Sequence, residues 1–204
     1  MIRNIVFDMG NVLLKFDPEM FMDRLDLNET DRKILRKELW GSVEWIRTDR
    51  GSMNTREAAK SICKRIPERL WDTVDRLIDH WYEPLVPIEG MEELVKELKG
   101  NGYAIWLLSN AGTNQHDYWL TLPVHRYFDG VMISADEKCL KPAPEIYHLF
   151  TEKFGLDPEE CLFIDDNPSN VEGAVFCGWK GIVFHGDAGE LKRKISEHGI
   201  RCFI

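Results

Sequence analysis

Cysteine is sparse in this chain and forms no motif. The five thiols, at positions 63, 139, 161, 177 and 202, are odd in number and include no C-x-x-C pair. That argues against a disulfide framework or a thiolate zinc site and suits reduced thiols in a cytoplasm. Long apolar runs are missing as well: nothing approaches the ~18 consecutive apolar residues of a membrane-spanning helix. The short apolar run near the N-terminus contains Asp8 and lacks a small-residue cleavage signal, so no signal peptide is expected. Basic residues are in deficit, 26 against 35 acidic ones. The net charge of −9 argues against the basic surface that nucleic acid or an anionic membrane requires. A small phosphorylated molecule remains compatible, because a metal and one lysine can make a site locally positive. Internal repeats and low-complexity tracts are absent too.

What is there reads as one domain, or one domain with a modest insertion, long enough at 204 residues to bury a core. Five short apolar runs have strand length: Ile5–Phe7, Ala104–Leu108, Val131–Ile133, Cys161–Ile164 and Ile182–Phe184. Each is apolar almost throughout, as parallel strands buried on both faces are. Between them, Met91, Leu94, Val95 and Leu98 form a helical stripe ending at Gly100 and Gly102. Ile146, Leu149, Phe150 and Phe154 form another, ending at Gly155. The alternation predicts an α/β fold: an open parallel Rossmann-like sheet with helices on both faces.

The stretch 17–87 breaks that alternation. It holds helix starts at Asp17-Pro18, Asn28, Asn54 and Pro67 but no convincing strand. A crossover needs only about a dozen residues, so the stretch is read as an inserted α-helical cap. The catalytic core is then 1–16 and 88–204. The cap's Trp40, Trp45, Trp71, Trp81 and Tyr82 are expected to be mostly bundle core. Trp45, Arg47 and Arg50, just before Gly51, are the better candidates to face a site, with Trp119 at its edge.

In open α/β sheets, ligands bind beyond the carboxyl ends of the strands. Here those ends carry Asp8, Ser109-Asn110, Ser134-Ala135-Asp136 and Asp165-Asp166-Asn167. One such residue is readily a helix cap, but four strands presenting polar groups at one rim point to chemistry. Asp8, Asp165 and Asp166 would repel one another unless a hard cation sat among them, and Mg²⁺ is the natural choice. Lys141, before a helical stripe, would neutralise phosphate oxygens and keep a carboxylate ionised.

These segments, in order, resemble the motifs of the haloacid dehalogenase (HAD) superfamily. Phe7-Asp8-Met9-Gly10-Asn11-Val12 resembles the first and Leu107-Leu108-Ser109-Asn110 the second. Lys141-Pro142-Ala143-Pro144-Glu145 resembles the third, and Asp165-Asp166-Asn167-Pro168-Ser169-Asn170 the fourth. Within the family, the variant with Gly10 is most similar to α-D-glucose-1-phosphate phosphatases and to the phosphatase domain of soluble epoxide hydrolase.

The resemblance implies a Mg²⁺-dependent phosphatase of small phosphorylated metabolites, with a sugar phosphate as the expected substrate, sugar-1-phosphates included. Asp8 would be nucleophile and metal ligand, the Gly10 carbonyl a second ligand, and Asp166 a third. Ser109, Asn110, Met9, Gly10 and Lys141 would hold the phosphoryl group. Asp165 would bond to Lys141 or to a metal-bound water, and Asn170 would support that loop.

One residue departs from the family. Its phosphatases usually carry a general acid and base two places after the nucleophile, where this chain has Gly10. A positioned acid is worth ~10²–10⁴-fold. Its loss implies a bias toward good leaving groups, such as sugar-1-phosphates, aryl phosphates or acyl phosphates, or else another group, such as Asn11 through water, in its place. Two rivals follow from the same fold. One is a domain that binds a phosphorylated ligand or a protein partner without turnover. The other is a 2-haloacid dehalogenase, against which Gly10 and the Asp165-Asp166 pair argue. The oligomeric state is left open.

Overall fold

The computed structural model describes residues 1–202. Strand β1 (Asn4–Phe7) occupies the middle of the sheet. It is followed by helices α1 (Pro18–Met22), α2 (Glu29–Leu35), α3 (Val43–Asp49), α4 (Thr55–Cys63) and α5 (Trp71–His80). The second half alternates: α6 (Met91–Gly100), β2 (Ala104–Ser109), α7 (Gln115–Trp119), β3 (Gly130–Ile133), α8 (Ser134–Glu137), α9 (Pro144–Phe154), β4 (Cys161–Asp165), α10 (Pro168–Phe176), β5 (Lys180–Val183) and α11 (Ala188–Glu197). The fold is α/β, as the alternation predicts, and all five expected strands are present. The last begins two residues earlier than its apolar run, because Lys180 and Gly181 pair with Leu162 and Phe163 before the apolar residues begin.

The strands are all parallel in the order β3-β2-β1-β4-β5. Successive residues of a strand face opposite sides of the sheet. Ile5 and Phe7 therefore join one apolar cluster with Met91, Leu94 and Leu191, while Val6 joins another with Tyr147, Phe150 and Phe163. Burying both faces this way explains why each strand is a continuous apolar run rather than an alternating one.

The helical insertion carries its own core, in which Phe21, Leu35, Leu39, Ile62, Val74 and Ile78 pack together. Its helices begin where short polar side chains cap them. Asp17, Asn28 and Asn54 accept from backbone N–H groups of the first turn, and Asn54 completes a reciprocal pair with Glu57. Trp40 belongs to this core, whereas Trp71 stays 42% exposed, its indole donating to the Cys63 carbonyl.

Cap and core meet at several points: Asn114 Nδ2 donates to the Asp79 carbonyl (3.3 Å), and the end of α3 is held more closely. Ser134 Oγ, at the end of β3, donates to the Asp49 carbonyl (2.6 Å), and Lys138 Nζ donates to the Gly51 carbonyl (2.6 Å). Gly51 has φ +67°, and a Cβ there would lie 2.0 Å from the Ala135 carbonyl oxygen. Only glycine allows α3 to end this close to α8.

Candidate active site

The order of the sheet places the site. Connections leave β1 in opposite directions on its two sides, which opens a crevice beyond the carboxyl ends of β1 and β4. Phe7 is level with Leu107 and Ile164, so the next residue, Asp8, stands beside Asp165. The Asp8 N–H donates to the Ile164 carbonyl at 2.8 Å, which locks this register to the end of the strand.

Lys141 reaches this point from the loop before α9. Its Nζ donates to Asp8 Oδ1 (2.7 Å), Asp165 Oδ2 (2.7 Å) and the Leu108 carbonyl (2.9 Å), with the side chain 1% exposed. Three acceptors satisfy its three donors. Asn110 fixes the backbone of the same residue: its Nδ2 donates to the Lys141 carbonyl and its Oδ1 accepts from the Lys141 N–H, each at 2.9 Å. The Asn110 side chain is thus engaged in positioning the lysine.

Asp165 is fully buried. Besides the lysine, its carboxylate accepts from the Asn167 N–H (2.8 Å) and from Asn170 Nδ2 (3.1 and 3.0 Å). The Asn170 carbonyl in turn accepts from the Tyr147 hydroxyl (2.6 Å). A hydrogen bond to a buried charge contributes ~1.5–3 kcal/mol, so Asn170→Ala should lower the unfolding free energy by about that amount in urea titrations. A change under about 0.5 kcal/mol would mean Asp165 is held without it.

Asp166 is less encumbered and receives only Asn11 Nδ2, at 3.2 Å, among the bonds to its side chain from other side chains. Asn11 sits at φ +53°, a left-handed conformation that asparagine tolerates better than most residues. Its Oδ1 also accepts from the Phe16 N–H (2.9 Å), so one side chain ties the turn after β1 to the turn after β4.

Carboxylate oxygens of Asp8, Asp165 and Asp166 lie within 4.8 Å of one another. Three carboxylates against one ammonium leave two formal negative charges in a buried place. Burial pushes the Asp8 carboxyl up to about 7, against the pull of Lys141, and pushes Asp166 upward as well. Burial also works against the Lys141 charge, yet Asp8 and Asp165 outweigh it and raise the ammonium's pKa. This is a donor set that fits a hard divalent cation: oxygen ligands, a net charge of opposite sign, and Asp166 still open.

Above the carboxylates is a cavity of about 330 Å³. Its floor includes Asp8, Met9, Gly10, Ser109, Lys141 and Asp166, so the ends of β1, β2 and β4 share one chamber, whereas Ser134, Ala135 and Asp136 at the end of β3 do not line it: Ser134 bonds to the Asp49 carbonyl and Asp136 to His116. Aromatic walls come from Phe16, Trp45, Trp81 and Tyr118. Phe16 stacks edge-on against Trp81 at 5.0 Å, and Trp81 against Tyr118 at 5.7 Å.

Of the residues before Gly51 expected to face the site, Trp45 does so, from within helix α3 and not from a loop. Arg47 and Arg50 do not: both are exposed and neither lines the cavity. Trp119 is also absent from its lining, being buried against Phe128 at 5.0 Å.

Gln115 and Asp49 are among the lining residues that the sequence does not single out. Gln115 is fully buried, and neither its amide nitrogen nor its oxygen has a partner. Asp49, at the end of α3, is the single ionisable residue that the cap contributes to the lining. Burial pushes its carboxyl up to about 8, although the Gly112 N–H and the Trp45 side chain favour the ionised form.

Known proteins bear on this arrangement. The chain is 28% identical over 160 residues to a chloroplastic flavin mononucleotide hydrolase of Arabidopsis thaliana, covering 78% of this chain and 64% of that enzyme, just under two thirds. It is 25% identical over 183 residues to a D-ribitol-5-phosphate phosphatase of Bacteroides thetaiotaomicron, covering 84% and 86%. Among solved structures, a HAD family enzyme of the same bacterium, in complex with magnesium and inorganic phosphate, superposes with a TM-score of 0.70 at 23% identity, covering 94% and 99%. The L-2-haloacid dehalogenase of Xanthobacter autotrophicus gives 0.67 at 21%, covering 98% and 84%, so the fold alone does not separate the two chemistries. The haloacid dehalogenase-like hydrolase profile matches residues 2–178 and so takes in every strand-end residue described above; the chain belongs to that family of hydrolases.

Proposed function

We propose that this hydrolase is a Mg²⁺-dependent phosphatase acting on a small phosphorylated metabolite, through an aspartyl-phosphate on Asp8. The observation that carries the reading is the buried Asp8–Lys141–Asp165 cluster, with Asp166 beside it, at the floor of a cavity. Asp8 would attack phosphorus. Lys141 would orient its carboxylate and balance charge on the phosphoryl oxygens, and Ser109, Asn110, Met9 and Gly10 would surround them. Asp8, Asp166 and the Gly10 carbonyl would hold the metal, which when bound neutralises the phosphoryl group and favours its approach to the carboxylate. Asp165 and Asn170 act on Lys141 and on the loop rather than on phosphate.

The cavity also informs the substrate. Lys141 is the one cationic side chain in its lining, and it is committed to carboxylates, which leaves no site for a second phosphate. Aromatic faces stack on sugar rings or planar groups, and the unpaired Gln115 amide can answer a hydroxyl. A neutral, hydroxylated leaving group such as a sugar fits best, and the five unpaired thiols favour the cytoplasm as its compartment. Without a bound cation the two uncompensated negative charges would repel a haloacid and a phosphate ester alike, so the acidic cluster favours chemistry run with Mg²⁺ and, with it, the phosphatase reading.

The test is phosphate release from glucose-1-phosphate, glucose-6-phosphate, p-nitrophenyl phosphate and acetyl phosphate, with Mg²⁺ and with EDTA. Turnover that needs Mg²⁺ is expected, with the 1-phosphate preferred over the 6-phosphate. Absence of turnover across the panel with Mg²⁺ still bound would replace the enzyme reading with a binding domain.

A further inference from the structure

Position 10 is where this site lacks a side chain. Gly10 lines the cavity at φ outside the left-handed region, and a Cβ there would touch only Phe16 Cβ, at 3.7 Å. The space is open and nothing from the core fills it with an acid. The wall contributed by the cap does present one. Asp49 lines the same chamber as Asp8, and the end of α3 that carries it is held to the core through backbone groups: its own carbonyl by Ser134 Oγ, and the Gly51 carbonyl by Lys138. Its side chain takes no part in those two bonds; it accepts from the Gly112 N–H and the Trp45 side chain, both of which line the same chamber.

We propose that Asp49 is the general acid and base of this site, delivered from the cap in place of a side chain at position 10. The assignment rests on the phosphatase reading. In the first step an Asp8 oxygen bonds to phosphorus, the bond from phosphorus to the leaving oxygen breaks, and that oxygen takes its electron pair and the Asp49 proton. In the second step water bonds to phosphorus and gives a proton to the Asp49 carboxylate. The Asp8–phosphorus bond breaks with its pair returning to Asp8, and inorganic phosphate leaves.

The cavity suits both steps. Burial keeps a carboxyl at this place protonated at neutral pH, ready to donate first. The ionisable groups around it are Tyr118, which is charge-coupled to Asp49 and is itself raised by burial, and Asp8, Asp166 and Lys141 on the floor. Lys138 and Arg50 lie on the outer side of this end of α3. With Asp49 in this role, a preference for the 1-phosphate over the 6-phosphate reflects how the sugar fits the cavity and not the leaving-group bias implied by Gly10 alone.

The experiment compares the intact protein with Asp49→Asn, Asp49→Glu and the double variant Gly10→Asp/Asp49→Asn. The substrates are aryl phosphates with Mg²⁺, ranging from p-nitrophenyl to phenyl phosphate. In Asp49→Asn, kcat/KM should fall by about 10²-fold or more on phenyl phosphate and little on p-nitrophenyl phosphate. The variant should also release a burst of p-nitrophenol before slow turnover, because hydrolysis of the aspartyl-phosphate loses its base. The decline of kcat/KM above about pH 8 should vanish with it. Asp49→Glu should keep the shallow leaving-group dependence of the intact protein, and the double variant should recover it. A uniform loss across leaving groups, without a burst and without recovery in the double variant, would overturn the role of Asp49 and leave the phosphatase standing. No Mg²⁺-dependent turnover by the intact protein on any substrate would overturn both.

Discussion

Asp8→Asn should abolish phosphate release, with a loss on the order of 10⁴-fold or more. The amide has nearly the shape of the carboxylate, and its oxygen can still accept from Lys141, so the site should keep its architecture. What goes is the one oxygen nucleophile at the end of β1, and with it the covalent intermediate. Acid-quenched single turnovers with labelled phosphate ester measure this directly. The intact protein should retain label on the chain, and the variant should retain none. Residual turnover within tenfold of the intact protein would show that Asp8 is not the attacking group.

Lys141→Met should be the most destabilising single change in the site. The side chain is buried, and its removal leaves Asp8 and Asp165 facing each other with no cation between them. Breaking a buried ion pair from one side costs ~3–5 kcal/mol, which for a chain of this size lowers Tm by roughly 6–20 °C. The sign of the pH dependence follows. Burial already holds Asp8 at about 7, above the unfolded value, and without the lysine, whose charge pulls it down, its carboxyl is pushed further up. Groups raised in this way contribute stability that is complete below about pH 4 and is lost as pH rises through their folded values. The deficit relative to the intact protein should therefore be small near pH 4 and largest above pH 7. Thermal unfolding at both ends of that range, in EDTA, is the measurement, and a deficit that does not grow with pH would contradict the geometry. Activity should be lost as well, since phosphoryl charge would have no ammonium to meet it.

The strands and the floor of the site were legible because each is local. A strand buried on both faces must be apolar throughout, so Ile5–Phe7 and Cys161–Ile164 announce themselves, and the polar residue that ends each run marks the rim. The cap helices were legible from Asp17, Asn28 and Asn54, whose capping bonds are made within their own first turns. The ceiling of the cavity is a different matter. Asp49 lies in Arg47-Thr48-Asp49-Arg50-Gly51, which reads as a solvated charged turn until Ser134, 85 positions later, holds it over the core. The neighbouring arginines, expected to face the site from their place just before Gly51, are exposed for the same reason: the turn has one inner face, and the aspartate is on it. Gln115 gave no signal at all, because an unpaired buried amide is a property of packing and not of sequence. Trp119 was misjudged because Tyr118, one place earlier on the same short helix, takes the cavity side while the tryptophan packs into the core.

The two chain segments that join core and cap run side by side. Lys15 donates its N–H to the Val86 carbonyl at 2.8 Å, the Ile88 N–H donates to the Leu13 carbonyl at 3.0 Å, and Leu14 pairs with Pro87 in antiparallel fashion. The helical insertion thus leaves the sheet and returns to it through a single doorway, about one strand spacing wide. Such an insertion behaves as a cassette. Its helices can lengthen, shorten or be exchanged for another set without disturbing the strand order, provided the newcomer's ends meet at that spacing. Bridging the doorway with a few residues would cost little in loop entropy. The side chains that wall the cavity from above, Asp49 among them, can therefore change on their own evolutionary clock, while the carboxylates and the lysine at the strand ends stay the same.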